Sequence, residues 1–107
     1  MIKITRIVDN KVDYDKLYQI YINDVLLDEL KNGESKSFRL KVGDNHKMII
    51  KSSDTTSNSV IFNLDDDQTI EFECGPTYKE TLFSKLSKDK KYVNKKIVLV
   101  ISKDFHL

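Results

Sequence analysis

Between Lys16 and Cys74, apolar side chains recur at every second position in short runs separated by turn residues at nearly even spacing. Tyr18, Ile20 and Ile22 alternate with Gln19 and Tyr21; Phe38, Leu40 and Val42 alternate with Ser37, Arg39 and Lys41. Met48 and Ile50, then Val60, Phe62 and Leu64, then Ile70, Phe72 and Cys74 repeat the scheme. A period of two places alternate side chains on one face of a strand, so the pattern predicts antiparallel strands with one dry face.

The expected strands run over Ile2–Val8, Lys16–Ile22, Leu26–Lys31, Ser35–Lys41, His46–Lys51, Ser59–Leu64 and Thr69–Cys74. Asn23-Asp24 reads as a tight turn. Asn32-Gly33 reads as a type I′ hairpin turn, since both residues tolerate positive φ. Asp65-Asp66-Asp67 is expected to close a further hairpin. Gly75-Pro76 is expected to break the seventh strand. Beyond it, the spacing of Tyr78, Leu82, Phe83 and Leu86 predicts one or two turns of helix. The apolar run Ile97–Ile101 then reads as a last strand, completing either this chain's own sheet or a partner's. The resulting fold class is all-β: an antiparallel β-sandwich of seven or eight strands, with a short helical or irregular segment before the last one. The expected shared core is Ile4, Tyr18, Ile20, Ile22, Leu27, Leu30, Phe38, Leu40, Met48, Ile50, Val60, Phe62, Leu64, Ile70 and Phe72.

A chain of 107 residues reads as one domain, with residues 1–75 as the main sandwich and 76–107 as a C-terminal extension. Folding at this length hides roughly 65% of the surface of the unfolded chain, enough for a core without metal or disulfide. Cys74 is the only cysteine, which excludes an internal disulfide and favours a reducing compartment. No signal-peptide pattern follows Met1, and no apolar run approaches the ~20 residues of a membrane span. A soluble, cytoplasmic protein is the expectation. The net charge of +1 divides unevenly: ten Lys/Arg and fourteen Asp/Glu in residues 1–75 give −4, and eight Lys with three acids in 76–107 give +5. Such a split marks either a basic arm that seeks anions or a tail and body that attract each other.

Tyr18-Gln-Ile-Tyr-Ile-Asn-Asp, Lys31-Asn-Gly-Glu, Phe38-Arg-Leu-Lys-Val-Gly-Asp-Asn-His46 and Met48-Ile-Ile-Lys51 together resemble small PEGA-like β-sandwich modules of bacteria. Ser59-Val-Ile-Phe-Asn-Leu and Thr69-Ile-Glu-Phe-Glu-Cys-Gly-Pro look like the closing hairpin of uncharacterised Gram-positive members of that kind. The resemblance covers roughly residues 2–76 and is architectural. Asp24 stands where such modules place Gly, and the Pro-Glu-Gly-Ala signature is missing. It implies an immunoglobulin-like, non-catalytic module that binds or spaces.

Residues that carry chemistry fall into phase with core or turn. His46 starts a strand on the face of Met48, as a histidine capping the core edge, and His106 lies at a terminus expected to fray. Cys74 follows Ile70 and Phe72 as a small core residue. Asp65–Asp67, and Asp9 with Asp13 and Asp15, lack the spacing of a calcium loop. Two distant His and one Cys offer no zinc spacing, and no nucleophile–base set can be assembled. The expectation is therefore no enzyme, no cofactor and no metal.

The leading function is an interaction module for a protein partner or a second copy of itself, through an exposed sheet edge or Ile97–Ile101. The candidate contact residues are Lys85, Lys88, Lys90, Lys91, Tyr92, Lys95, Lys96, Ile97, Val98 and Leu99. The alternative is an adaptor whose Lys-rich extension binds nucleic acid or an anionic membrane, with Tyr78, Phe83 and Tyr92 for stacking. The stretch has no Arg and the pI of about 7.8 weighs against it. A carbohydrate-binding reading rests on Tyr14 and Tyr21 alone.

Overall fold

The computed structural model describes residues 1–80 and 92–107. The elements are β1 (Ile2–Arg6), β2 (Tyr18–Ile22), β3 (Val25–Leu30), β4 (Ser35–Phe38), β5 (Gly43–Lys51), β6 (Val60–Leu64), β7 (Gln68–Glu80) and β8 (Tyr92–His106). They form two four-stranded sheets, ordered β4-β1-β7-β8 and β3-β2-β5-β6. All pairings are antiparallel except β1 with β7, which run parallel from Ile2↔Ile70 to Arg6↔Cys74. Among the described residues there is no helix, and hence none long and apolar enough to cross a membrane.

The two sheets share one core. Ile2, Ile4, Ile70, Phe72 and Cys74 from the first meet Tyr18, Ile20, Met48, Ile50 and Phe62 from the second. Phe62 and Phe72 make an edge-on contact across the layers, with centroids 5.1 Å apart at 62°. The alternation described above is what permits this: β1 and β2 each read buried, half-buried, buried along their length. Strand β8 completes this chain's own sheet, and its Ile97 and Leu99 are buried in the same core.

Several expectations are corrected. The two predicted hairpins across Asn32-Gly33 and Asp65–Asp67 are not hairpins: β3 and β4 lie in opposite sheets, as do β6 and β7. Gly33 has φ +76° while Asn32 keeps negative φ, the sign pattern of a type II turn, closed by the Glu34 N–H to Lys31 C=O bond of 3.0 Å. The Asn32 side chain then ties this crossover to Asp9, accepting from its N–H at 2.9 Å and donating to its C=O at 2.7 Å. Among the described residues, only Asn23-Asp24 has two consecutive positive φ angles, 50° and 68°, and it joins the β2–β3 hairpin.

Leu27 leaves the expected core and is 36% exposed. Ile20 faces Asp28 and Tyr21 faces Leu26, so Leu27 is the extra residue of a β-bulge and loses its phase. Phe38, Leu40 and Val60 are packed against the core but only partly buried.

Strand β7 also runs on through Gly75-Pro76 to Glu80, so Tyr78 lies in a strand and not in a helix. The rest of the predicted helix, Leu82, Phe83 and Leu86, lies outside the described residues. Proline is tolerated because of where its missing N–H would point. Ile70 and Cys74 direct their backbone groups toward β1, as the Ile70 N–H to Met1 C=O and Ile7 N–H to Cys74 C=O bonds show. Pro76 shares their parity, and β1 pairing has ended at Arg6. No ladder bond is lost. Past Cys74, β7 and β8 continue as a two-stranded ribbon through Glu80↔Tyr92, about 20 Å at the usual rise per residue.

Candidate functional site

Two regions concentrate the unusual chemistry: a polar cluster at one end of the core, and the outer surface where β7 and β8 pass the end of β1.

The cluster begins at Arg6. In strand β1 it has the inward phase of Ile2 and Ile4, and it is fully buried. Its guanidinium donates to the carbonyls of Asp13 (2.6 Å), Lys16 (2.5 Å) and Leu30 (2.9 Å), and its carbon lies 3.8 Å from the centre of the Tyr18 ring. A planar fork with donors on two separate nitrogens serves three backbone segments at once, a spread that the single nitrogen of a lysine does not match. Asp13, also fully buried, accepts from the Tyr18 hydroxyl at 2.5 Å and from Lys95 Nζ at 2.9 Å. Lys95 also meets Asp54 at 2.8 Å, and Asp54 in turn pairs with Lys16. The C-terminal strand is thus clamped to the β1–β2 and β5–β6 loops.

Three groups of this cluster, Tyr18, Asp54 and Lys95, have protonation equilibria displaced from their ordinary values. Burial, then the bond to Asp13, raises the Tyr18 hydroxyl above the ordinary phenol range. The Lys16 ammonium, then Lys95, holds Asp54 below the usual carboxylate range. Burial opposes the charge on Lys95, but Asp54 and Asp13 outweigh it and raise its pKa. Burial pushes the nearby Cys74 thiol up to about 12, which makes it an inert core residue. Sequence reasoning missed Arg6 because its charge outweighed its phase; the phase with Ile2 and Ile4 was the signal.

The outer surface is apolar. Ile7, Val8, Gly75, Pro76, Val98 and Val100 line a groove of about 350 Å³. Val8 is 73% exposed and Val100 45%. A Cβ on Gly75 would stand 3.4 Å from Cβ of Ile7, so the missing side chain sets the depth of the groove floor. Asp9 and Glu73 supply the acidic rim.

The candidate contact residues are distributed unevenly around this surface. Lys85, Lys88, Lys90 and Lys91 lie outside the described residues. Tyr92 opens β8 opposite Glu80. Lys95 is occupied by Asp13 and Asp54 within this chain, and Ile97 and Leu99 belong to its own core. Lys96 and Val98 are exposed, with Val100 and Ile101 beside them. The charge split between body and tail therefore includes direct attraction at Lys95.

The free edge of β8 is capped at one point. Leu99 turns its backbone away from β7, and Asn58, in the loop before β6, meets both groups: its Oδ1 accepts from the Leu99 N–H at 2.9 Å and its Nδ2 donates to the Leu99 C=O at 2.8 Å. One side-chain amide stands where the backbone of a neighbouring strand would otherwise be.

The other residues singled out from the sequence have structural partners. Asn23 donates to His46 Nδ1 at 3.1 Å, which leaves the Nε2 proton for the Lys41 carbonyl at 2.9 Å, and the ring stacks on Phe62. His106 ends β8 opposite Gln68 and lies 3.4 Å from Asp65. The Asp9 carboxylate accepts from the N–H groups of Lys11, Val12 and Asp13. Tyr14 is an exposed loop residue, and Tyr21 lies under the Lys51 ammonium, 4.6 Å from its ring centre. Among the described residues no three His, Cys, Asp or Glu side chains stand close enough to share a metal ion.

These features define a two-sheet all-β protein with an apolar outer surface beside a capped strand edge. Comparison with protein-family models, with curated proteins and with solved structures finds no match to this chain.

Proposed function

We propose that this protein is a non-enzymatic interaction module, an immunoglobulin-like sandwich of the PEGA-like bacterial kind, that associates along the β8 side of its first sheet with a second copy of itself. The observation that carries the reading is the exposed apolar surface formed by Ile7, Val8, Val98 and Val100 around Gly75 and Pro76. Apolar area concentrated beside a long edge strand is the usual mark of a protein-binding surface. A reducing cytoplasmic setting suits a chain whose single thiol is buried.

Light scattering tests this. Wild-type protein at high micromolar concentration is expected to give a dimer mass, and the double variant Val98→Lys/Val100→Lys a monomer mass with an unchanged far-UV spectrum. A wild-type monomer mass at every concentration overturns the proposal.

A further inference from the structure

The run Ile97-Val98-Leu99-Val100-Ile101 reads the same in both directions, and its centre, Leu99, is the residue that Asn58 caps. From these two facts, and resting on the self-association reading above, we infer that Asn58 is a removable cap on a self-complementary strand edge, and that its withdrawal lets two copies pair β8 to β8 in antiparallel register about a twofold axis at Leu99.

The register follows from backbone direction. Val98 and Val100 face Gly75 and Glu73 of β7 as the residues that share ladder bonds with it, so Ile97, Leu99 and Ile101 direct their N–H and C=O groups to the free edge. Antiparallel pairing about Leu99 sets Ile97 against Ile101 of the second copy, and Leu99 against its equivalent. These three hydrogen-bonded pairs make on the order of six backbone bonds. Val98 then stands beside Val100 of the second copy on the outer face, extending the apolar surface across the axis. Ile101, 41% exposed in the single chain, gains cover from the second copy's Ile97.

The ends of the run agree with this register. Lys96 meets Ser102 of the second copy. Lys95 meets Lys103, but the Lys95 charge is already balanced by Asp13 and Asp54. At Ser102 the β7 register shifts, because Glu71 faces Lys103 while Phe72 faces Ile101. That bulge twists the edge away and confines pairing to the palindromic stretch. An isologous interface demands a self-complementary patch, which a palindromic strand supplies by construction. Asn58 is exposed, and the adjacent Ser57 is fixed to Ile50 by its backbone N–H at 2.8 Å and by its hydroxyl at 2.9 Å, so the withdrawal begins past Ser57.

Cysteine pairing reads the register directly. Residues 98 and 100 of opposite copies form a non-hydrogen-bonded pair, with Cα atoms about 4.5 Å apart, within disulfide reach. Val98→Cys mixed with Val100→Cys is expected to cross-link under mild oxidation, and neither variant alone. Removing the cap with Asn58→Ala loses two competing bonds in each copy, four per dimer, and is expected to tighten association at least about tenfold. Asn58→Asp, which keeps an acceptor for the Leu99 N–H but no donor for its carbonyl, is expected to fall between and serves if the alanine variant folds poorly. Equal cross-linking of Val98→Cys alone overturns the register. Unchanged association in both folded Asn58 variants overturns the cap. A wild-type dimer mass without mixed cross-linking refutes this inference and leaves the broader self-association reading standing. Monomer masses for wild type and both Asn58 variants overturn both.

Discussion

Lys95 Nζ lies 2.9 Å from Oδ1 of Asp13, a carboxylate with no exposure to solvent. The two residues belong to segments at opposite ends of the sequence, so this contact fastens the last strand to the first loop. Replacing Lys95 with Met leaves the Asp13 carboxylate with the Tyr18 hydroxyl as its remaining side-chain donor and the Arg6 guanidinium, bound to the Asp13 carbonyl, as the neighbouring cation. The expected loss is about 2–4 kcal/mol, below the cost of breaking a fully buried pair because Lys95 reaches solvent. Urea denaturation measures it. A double-mutant cycle with Asp13→Asn is expected to show coupling, the double variant losing less than the sum of the two singles.

Arg6 is expected to be the least replaceable polar residue in the chain. Arg6→Lys keeps the charge but reaches one carbonyl where the guanidinium reaches those of Asp13, Lys16 and Leu30. The expected cost is about 3 kcal/mol, read as a lower urea midpoint with an unchanged slope.

Stability should have a plateau with two different limbs. The raised Cys74, Tyr18 and Lys95 groups bind protons more tightly in the folded chain. Their contribution is full below the unfolded values, about 8.5, 10 and 10.4, and declines as pH rises beyond each. Asp54 has the opposite sign: its depressed pKa contributes above about pH 3.9 and is lost as acid protonates it. Because Asp54 is exposed to solvent, the acid limb should be shallow. Thermal melts across pH check this, and Cys74→Ala should delay the onset of the alkaline limb.

The Asn23-Asp24 turn is chemically improvable. Asp24 holds φ 68°, where glycine has no steric cost, and its ion pair with Lys47 is solvent-exposed. Asp24→Gly is expected to stabilise the β2–β3 hairpin by about 0.5–1 kcal/mol, visible as a raised Tm.

How much of this was legible in the sequence depended on the range of the force involved. Alternation is local, so the strands and most of the core could be read from Tyr18 to Cys74. Partner choice is not local. Asn32-Gly33 and Asp65–Asp67 announce chain reversal, yet turn residues carry no information about which sheet receives the next strand. Leu27 was misplaced because a single bulge shifts the phase. Gly75-Pro76 read as a stop because the termination of β1 beside it, which makes proline harmless, depends on a strand some seventy residues earlier. At the candidate site, the Asn58–Leu99 cap joins an ordinary loop asparagine to a distant strand, and no spacing in the chain marks it.

The parallel pairing of β1 with β7 sets a schedule for biosynthesis. Ile2 and Ile4 leave the ribosome first, and their β7 partners, Ile70 and Phe72, follow roughly seventy residues later. Until then, β1 has at most the four residues of β4 beside it. Such long-range closure is characteristic of slow β folders. The nascent chain must therefore carry an incomplete first sheet until β7 emerges, and conditions that slow elongation near Gln68–Cys74 should lengthen the interval in which it is vulnerable to aggregation.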